Sequence, residues 1–266
     1  MNKITSKEND LVKHIKKLKD KKHRDISKEY VIEGIKIIEE AIEEKANIKQ
    51  IIICDECEKA DVISKKMMYE IAKYNCVYVT DKVFESISDV KTPQGILAVI
   101  AKPTFENGEG IDYKQDVIIA LDDIQDPGNL GTIIRTADSV GLSQILISKG
   151  TADAFNPKVV RSTMGAIFRV KVIECEDLVK TLKEIKKRKF QVVVTSLEAE
   201  ENIYDMEYKK KVIVMGNEAN GVSNEVENLA DKKVKIPMIG KSESLNVSVA
   251  AGVILYEYVR KNVDKK

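Results

Sequence analysis

The sequence predicts an α/β protein of two units joined by a polar linker, and three observations carry that prediction. The first hundred residues alternate short apolar runs with amphipathic stretches. Residues 102–115 are polar and include Gly108 and Gly110, the composition of a linker. From Asp116 the alternation resumes, now with strands that are apolar without a break. Unbroken apolar runs belong to parallel strands covered on both faces.

In chain order, residues 9–22 read as a basic helix and 30–33 as a strand. A helix over 35–44, a strand over 48–53, a helix over 62–73 and strands over 77–79 and 96–100 complete the first unit. In the second unit, strands are expected near 117–121, 144–148, 191–195, 212–215 and 233–237. Asp126-Pro127-Gly128-Asn129 reads as a turn after the first of these. A helix then opens near Leu130, with Ile133, Ile134, Ala137 and Val140 at helical spacing. Asn156-Pro157-Lys158 opens another helix, which carries Arg161. A last helix starts at Leu245-Asn246-Val247-Ser248 and runs apolar to Tyr258.

Composition excludes several classes. Of 266 residues, 43% are hydrophobic, enough for real cores, and 33% are charged. No stretch approaches the ~20 apolar residues of a membrane span, and no apolar leader segment is visible. The four cysteines make no disulfide framework in a chain this long, so a reducing cytoplasm is the expected location. Cys54 and Cys57 form a lone C-x-x-C with no second pair at zinc spacing, and no metal is expected. Both histidines, His14 and His23, precede residue 30, which disfavours a Ser-His-Asp triad or a histidine-held metal in the second unit. There is no P-loop and no G-x-G-x-x-G after a strand. Net charge is only +1, but residues 13–28 hold eight Lys/Arg against two Asp. That run is either a phosphate-binding footprint or a solvated helix face.

Three strand ends, each followed by Asn with Gly or Ser, should converge on one sheet edge. The first is followed by Asn129-Leu130-Gly131-Thr132-Ile133-Ile134-Arg135-Thr136-Ala137. The second is Met215-Gly216-Asn217-Glu218-Ala219-Asn220-Gly221. The third is Ile236-Pro237-Met238 with Ser244-Leu245-Asn246-Val247-Ser248. Hydrogen-bonding loops between strand ends and helix starts suit a ligand with donors and acceptors. Gly216, without a Cβ, allows close approach of a ligand to its backbone or simply makes a turn. Ser244 and Asn246 are also ordinary helix-capping residues.

These motifs, in this order, resemble the SpoU/TrmH family of RNA ribose 2′-O-methyltransferases, within the SPOUT class. Tyr30-Val31-Ile32-Glu33-Gly34 and Thr92-Pro93-Gln94-Gly95-Ile96 are similar to the start and end of that family's L30e-like front domain. The resemblance implies an L30e-like RNA-binding domain over 1–101, a linker over 102–115 and a SPOUT methyltransferase domain over 116–266 threaded into a deep trefoil knot. It implies S-adenosylmethionine (SAM) as cofactor, held at Thr195, Leu197, Gly216, Ile236, Met238 and Leu245. Catalysis would fall to Arg135, Asn129, Glu218, Ser244 and Asn246, with Arg135 acting on the ribose 2′-hydroxyl. A guanidinium is a poor base, so Arg135 either takes that proton, stabilises the developing alkoxide, holds a phosphate or merely makes a surface ion pair. Lys16, Lys17, Lys21, Lys22, Arg24 and Arg161 are the expected RNA contacts. The expected substrate is ribosomal RNA, with transfer RNA, or RNA binding without catalysis, as alternatives. The final helix keeps Val249, Val253, Leu255, Tyr256 and Val259, more apolar surface than one sheet face covers. The resemblance supplies a second copy as the partner, in a homodimer.

Overall fold

A computed structural model describes residues 3–59, 63–103 and 110–263. The central part of the expected linker, residues 104–109, therefore lies outside the described residues. The chain forms two compact units, one of residues 1–104 with 155–168, the other of residues 105–154 with 169–266.

The first unit runs β1 (Lys3–Ile4), α1 (Asp10–Lys17), α2 (Lys21–Ser27), β2 (Glu29–Glu33), α3 (Ile35–Glu43), β3 (Ile48–Cys54), α4 (Asp55–Lys59), α5 (Lys65–Ile71), β4 (Cys76–Val79), α6 (Asp81–Ile87) and β5 (Ile96–Ala101). Its sheet has the order β1-β4-β3-β5-β2, with β5 antiparallel to both neighbours. The basic stretch expected as one helix is two. Asp20 caps a new helix by accepting from the Lys22 N–H at 2.7 Å, which ends α1 at Leu18. Val12, Ile15 and Leu18 pack on Val83, Phe84 and Ile87 of α6, so the charges of α1 face outward.

The second unit contains β6 (Val117–Asp122), α7 (Pro127–Ser139), β7 (Gln144–Ser148), β8 (Lys171–Cys175), α9 (Leu178–Lys187), β9 (Gln191–Thr195), β10 (Glu201–Asn202), β11 (Lys211–Gly216), α10 (Asn224–Glu227), β12 (Lys232–Lys235) and α11 (Val247–Val263). Helix α8 (Pro157–Thr163) falls between β7 and β8 in the chain but packs on β2 of the first unit. All seven strands are parallel, in the order β10-β12-β9-β11-β6-β7-β8. Every residue of β6 and the first five of β11 are buried. Two expectations shift. Asp126 to Asn129 is not a turn before the helix but its first turn, because Asp126 accepts from the Asn129 N–H at 2.8 Å and Pro127 needs no intrahelical partner. The last strand ends at Lys235, and only its Val234 is buried, so residues 236–246 form a long loop into α11.

Candidate active site

In a parallel sheet the loops after the strands share one edge, and ligands bind there beside the point where strand order reverses. Here β6 and β11 are neighbours in register, Gly216 beside Asp122, so their following loops start side by side. Strands β9 and β12 bring Thr195 and Val234 to the same level.

A chain of polar side chains ties these loops together. The Asn246 amide Nδ2 donates to Asn129 Oδ1 at 3.0 Å. Asn129 Nδ2 in turn donates to Glu218 Oε1 at 2.9 Å. The Glu218 carboxylate also accepts from the Gln125 N–H at 3.2 Å and the Asp126 N–H at 3.4 Å. Asn246 keeps its capping role, since its Oδ1 accepts from the Ser248 N–H at 2.9 Å. One residue from each motif thus joins a single network. Partial burial pushes the Glu218 carboxyl up, but the hydrogen bonds from Asn129, its own N–H and those of Gln125 and Asp126 outweigh burial and hold it below its ordinary 4.5. A carboxyl whose folded value lies below its unfolded one stabilises the fold fully above 4.5, and that contribution disappears as pH falls through the lowered value. Glu218→Gln should accordingly flatten the fall of thermal midpoint with pH on the acid side of 4.5, read by scanning calorimetry.

The second motif loop is anchored from below. Asp122 is buried and its Oδ2 accepts from the Ser223 N–H at 2.9 Å and the Ser223 hydroxyl at 2.6 Å. Asn217 Nδ2 donates to the Asp123 carbonyl at 2.8 Å, and Asn217 Oδ1 accepts from the Ala219 and Asn220 N–H groups. Gln125 Nε2 bridges Asp123 Oδ1 and the Gly150 carbonyl, both at 2.7 Å. None of Asp122, Asp123, Gln125, Asn217 or Ser223 stood out as a site residue in the sequence, because each acts through a partner 25 or more residues away. Their only local signal is an acidic pair at a strand end. Gly216 has a reason beyond ligand approach. A Cβ there would lie 2.1 Å from the Gly221 carbonyl carbon and the Val222 nitrogen, so the loop folds back over its own first residue.

Arg135 is exposed on α7 and, among the described residues, has no hydrogen-bond or ion-pair partner. It shares a helix face with Thr132 and Ser139, which are also exposed. Six residues of helix put it about 9 Å along the axis from Asn129. Ser244 is exposed in the loop before α11.

Of the expected cofactor residues, Thr195 and Gly216 end β9 and β11, Leu197 follows β9, and Ile236, Met238 and Leu245 lie in the loop after β12. Thr195 Oγ1 donates to the Val214 carbonyl at 3.3 Å, and the Ser196 N–H to the Val234 carbonyl at 3.0 Å. Thr195, Gly216, Ile236 and Met238 are half-buried, and Leu245 is exposed. Leu197 is 62% exposed and Ile239 fully so, large apolar groups open to solvent. An apolar rim beside loop amides and carbonyls is what an adenosine-bearing ligand requires, and in that respect these residues fit SAM.

The front unit offers exposed Lys17, Lys21 and Lys22, with Lys16 half-buried. Arg24 leaves the RNA-facing set. It is buried, and its guanidinium donates to the Leu18 and Lys19 carbonyls, both at 2.7 Å, closing the end of α1. Arg161 is half-buried on α8.

Residues 116–256 match the model of the SpoU rRNA Methylase family. The chain belongs to this family. Residues 9–98 match the MRM3-like substrate binding domain, so this SpoU methylase carries a substrate-binding front unit. It is 33% identical to the 23S rRNA (guanosine(2553)-2′-O)-methyltransferase RlmP of Bacillus subtilis (strain 168), covering 96% of this chain and 98% of the relative. The AdoMet-bound rRNA methyltransferase from Sinorhizobium meliloti is 31% identical with a TM-score of 0.83, covering 98% of both chains. The SpoU methyltransferase AviRb from Streptomyces viridochromogenes, in complex with AdoMet, gives a TM-score of 0.87 at 25% identity, covering 96% of this chain and 98% of that one. This SpoU protein is therefore an RNA methyltransferase that uses SAM.

Proposed function

We propose that the protein methylates the 2′-hydroxyl of a ribose in ribosomal RNA, and that Arg135, Asn129, Glu218, Ser244 and Asn246 form its catalytic set. The observation that carries this reading is the Asn246–Asn129–Glu218 network, which ties one residue of each motif together at one sheet edge; Arg135, on the helix that carries Asn129, has no partner among the described residues. The relatives with 23S rRNA or rRNA methyltransferase activity in their names span nearly the whole chain, front unit included, which favours rRNA over transfer RNA.

When bound, SAM supplies an electrophilic methyl group on a sulfonium. The protein's part is to align the acceptor oxygen and to manage one proton. Thr195, Leu197, Gly216, Ile236, Met238 and Leu245 hold adenine and ribose through loop backbone and apolar contact. Asn129 orients the acceptor ribose while Glu218 fixes Asn129. The Arg135 guanidinium stabilises negative charge as it develops on the 2′-oxygen or grips the adjacent phosphate. Incorporation of labelled methyl into protein-free 23S rRNA, followed by alkaline hydrolysis, tests the reading. A 2′-O-methylated linkage resists alkali; label on a base, or in transfer RNA alone, overturns it.

Exposed Lys17, Lys21 and Lys22, with Lys16, form the RNA-facing side of the front unit, and Arg161 adds to it. Neutralising those four lysines together should weaken rRNA binding and reduce the slope of log affinity against log salt by about 3, at ~0.7–0.9 per phosphate contact. An unchanged slope would mean that these charges only face solvent.

The same proposal includes a trefoil knot in the second unit, a cytoplasmic location and a homodimer. For the dimer the support is α11. Val249 is 51% and Tyr256 55% exposed, and they lie on one face with half-buried Val253, whereas Leu255 is buried inside the unit. The Tyr256 hydroxyl meets Ser139 Oγ at 3.4 Å, on the α7 face that carries Arg135. A second copy covering Val249 and Tyr256 would thus border Arg135, giving a shared site with C2 symmetry. Light scattering should return twice the 29.9 kDa chain mass. Tyr256→Glu should drive the mass toward one chain and lower activity with it.

A further inference from the structure

The edge of the second sheet opposite the motif loops carries a charged groove that the reaction does not use. Strands β9, β11 and β12 begin there, at Gln191, Lys211 and Lys232, and the groove encloses about 450 Å³. The strand rise puts it about 17 Å from the motif edge, measured along β11. Five lysines line it, at positions 189, 209, 210, 211 and 232, against three carboxylates.

Their pairing is uneven. Lys232 is neutralised by Glu201 at 2.9 Å. Lys210 donates to the Tyr113 carbonyl at 2.8 Å and sits 4.5 Å over the Phe190 ring, so its charge meets no carboxylate in either contact. Lys211 is only 8% exposed, and its ammonium is held by the neutral Gln191 side-chain oxygen. Burial pulls Lys211 below its ordinary value and the repulsion of Lys232 adds to this, with Glu207, Glu201 and Asp231 offsetting part. Lys189 and Lys209 are exposed and, among the described residues, have no ion-pair partner. The excess charge is therefore concentrated at one end of three adjacent strands and is drawn from three separate chain segments.

We propose that this groove is a second RNA-binding surface, which takes the phosphate backbone of the substrate RNA away from the reacting ribose. Convergent lysines in a polar groove suit a repeated anion, whereas base reading would call for planar amide or guanidinium pairs, absent from this wall apart from Gln191. The inference rests on the rRNA-methylating reading and concerns binding alone. Its consequence is that RNA is gripped by both units, so the front unit does not account for all of the affinity.

The test uses the full chain and a fluorescein-labelled transcript of 23S rRNA, titrated over a series of KCl concentrations. K189Q/K209Q changes two exposed side chains outside the proposed catalytic and SAM-binding sets. It should lower the salt slope by about 1.4–1.8 and raise KM for RNA, with kcat at saturating RNA and SAM affinity unchanged. Glu207→Gln, which removes an opposing charge from the same wall, should shift RNA affinity the other way. If K189Q/K209Q leaves slope and KM as in the parent, the proposal fails. It also fails if the variant loses only binding of inorganic tripolyphosphate, which would make the groove a small-anion site. Failure of the methylation reading would appear separately, as absent alkali-resistant label with the parent protein.

Discussion

Arg135→Ala is expected to lower methyl transfer by roughly 100- to 1,000-fold in kcat, the range seen when one group stabilising a developing oxyanion is removed. SAM affinity should stay within about two-fold of the parent, because Arg135 lies on α7, whereas the residues proposed to hold SAM come from the ends of β9 and β11 and the loop after β12. The fold should be indifferent to the change. The side chain is exposed and has no partner among the described residues, so its loss costs within about 0.5 kcal/mol. That combination separates the reading from its rivals. A surface ion pair would show neither effect, and a cofactor ligand would lose affinity and rate together. Arg135→Lys refines the role. A lysine keeps the charge but not the planar fork, so partial rescue points to charge stabilisation and no rescue to bidentate grip on a phosphate. If Arg135→Ala retains full kcat, the proton or charge is handled elsewhere.

Much of this site was legible because its informative residues are contiguous. Asn129 to Ala137 comes shortly after one apolar run and Met215 to Gly221 closes another; both runs read as buried strands, and each ends where the structure ends it within a residue or two. What the sequence hid is non-local. Asp122 and Ser223 are 101 residues apart, and only strand pairing makes one the anchor of the other. Arg24 looks like its lysine neighbours in a basic run. It is set apart by reach, since a guanidinium can donate to two carbonyls of the preceding helix end while its stem is buried. Helix α8 reads as part of the second unit from its position, yet its buried Val159 and Val160 belong to the other unit. Strand β8 escaped because Glu174 interrupts a short run at the sheet edge, where one strand flank needs no partner.

Gly216→Ala should be the most damaging single-methyl change at the site. The added Cβ would meet backbone on one side only, 2.1 Å from Gly221 C and Val222 N and 2.3 Å from Gly221 O. Backbone cannot swing aside as a side chain does. Asn217 and Gly221 exchange both N–H groups, at 2.8 and 3.0 Å, and Ser223 is fixed to Asp122 two residues later. The loop must therefore open as a whole, breaking those bonds, or absorb an overpacking cost of about 1–3 kcal/mol. Either way Glu218 moves off Asn129, because it is the second residue after the substituted one. We expect a thermal midpoint several degrees lower, at roughly 2–4 °C per kcal/mol for a unit of this size. SAM affinity should fall at least about tenfold, which corresponds to some 1.4 kcal/mol of lost loop geometry. Gly240→Ala supplies the stability control, since a Cβ there meets no atom within 4 Å and the midpoint should not move. Calorimetry of both variants with and without SAM reads the two effects together. Should Gly216→Ala keep its midpoint and its SAM affinity, the loop yields more easily than its four anchoring bonds allow, and the link from Gly216 through Glu218 to the cofactor edge is broken.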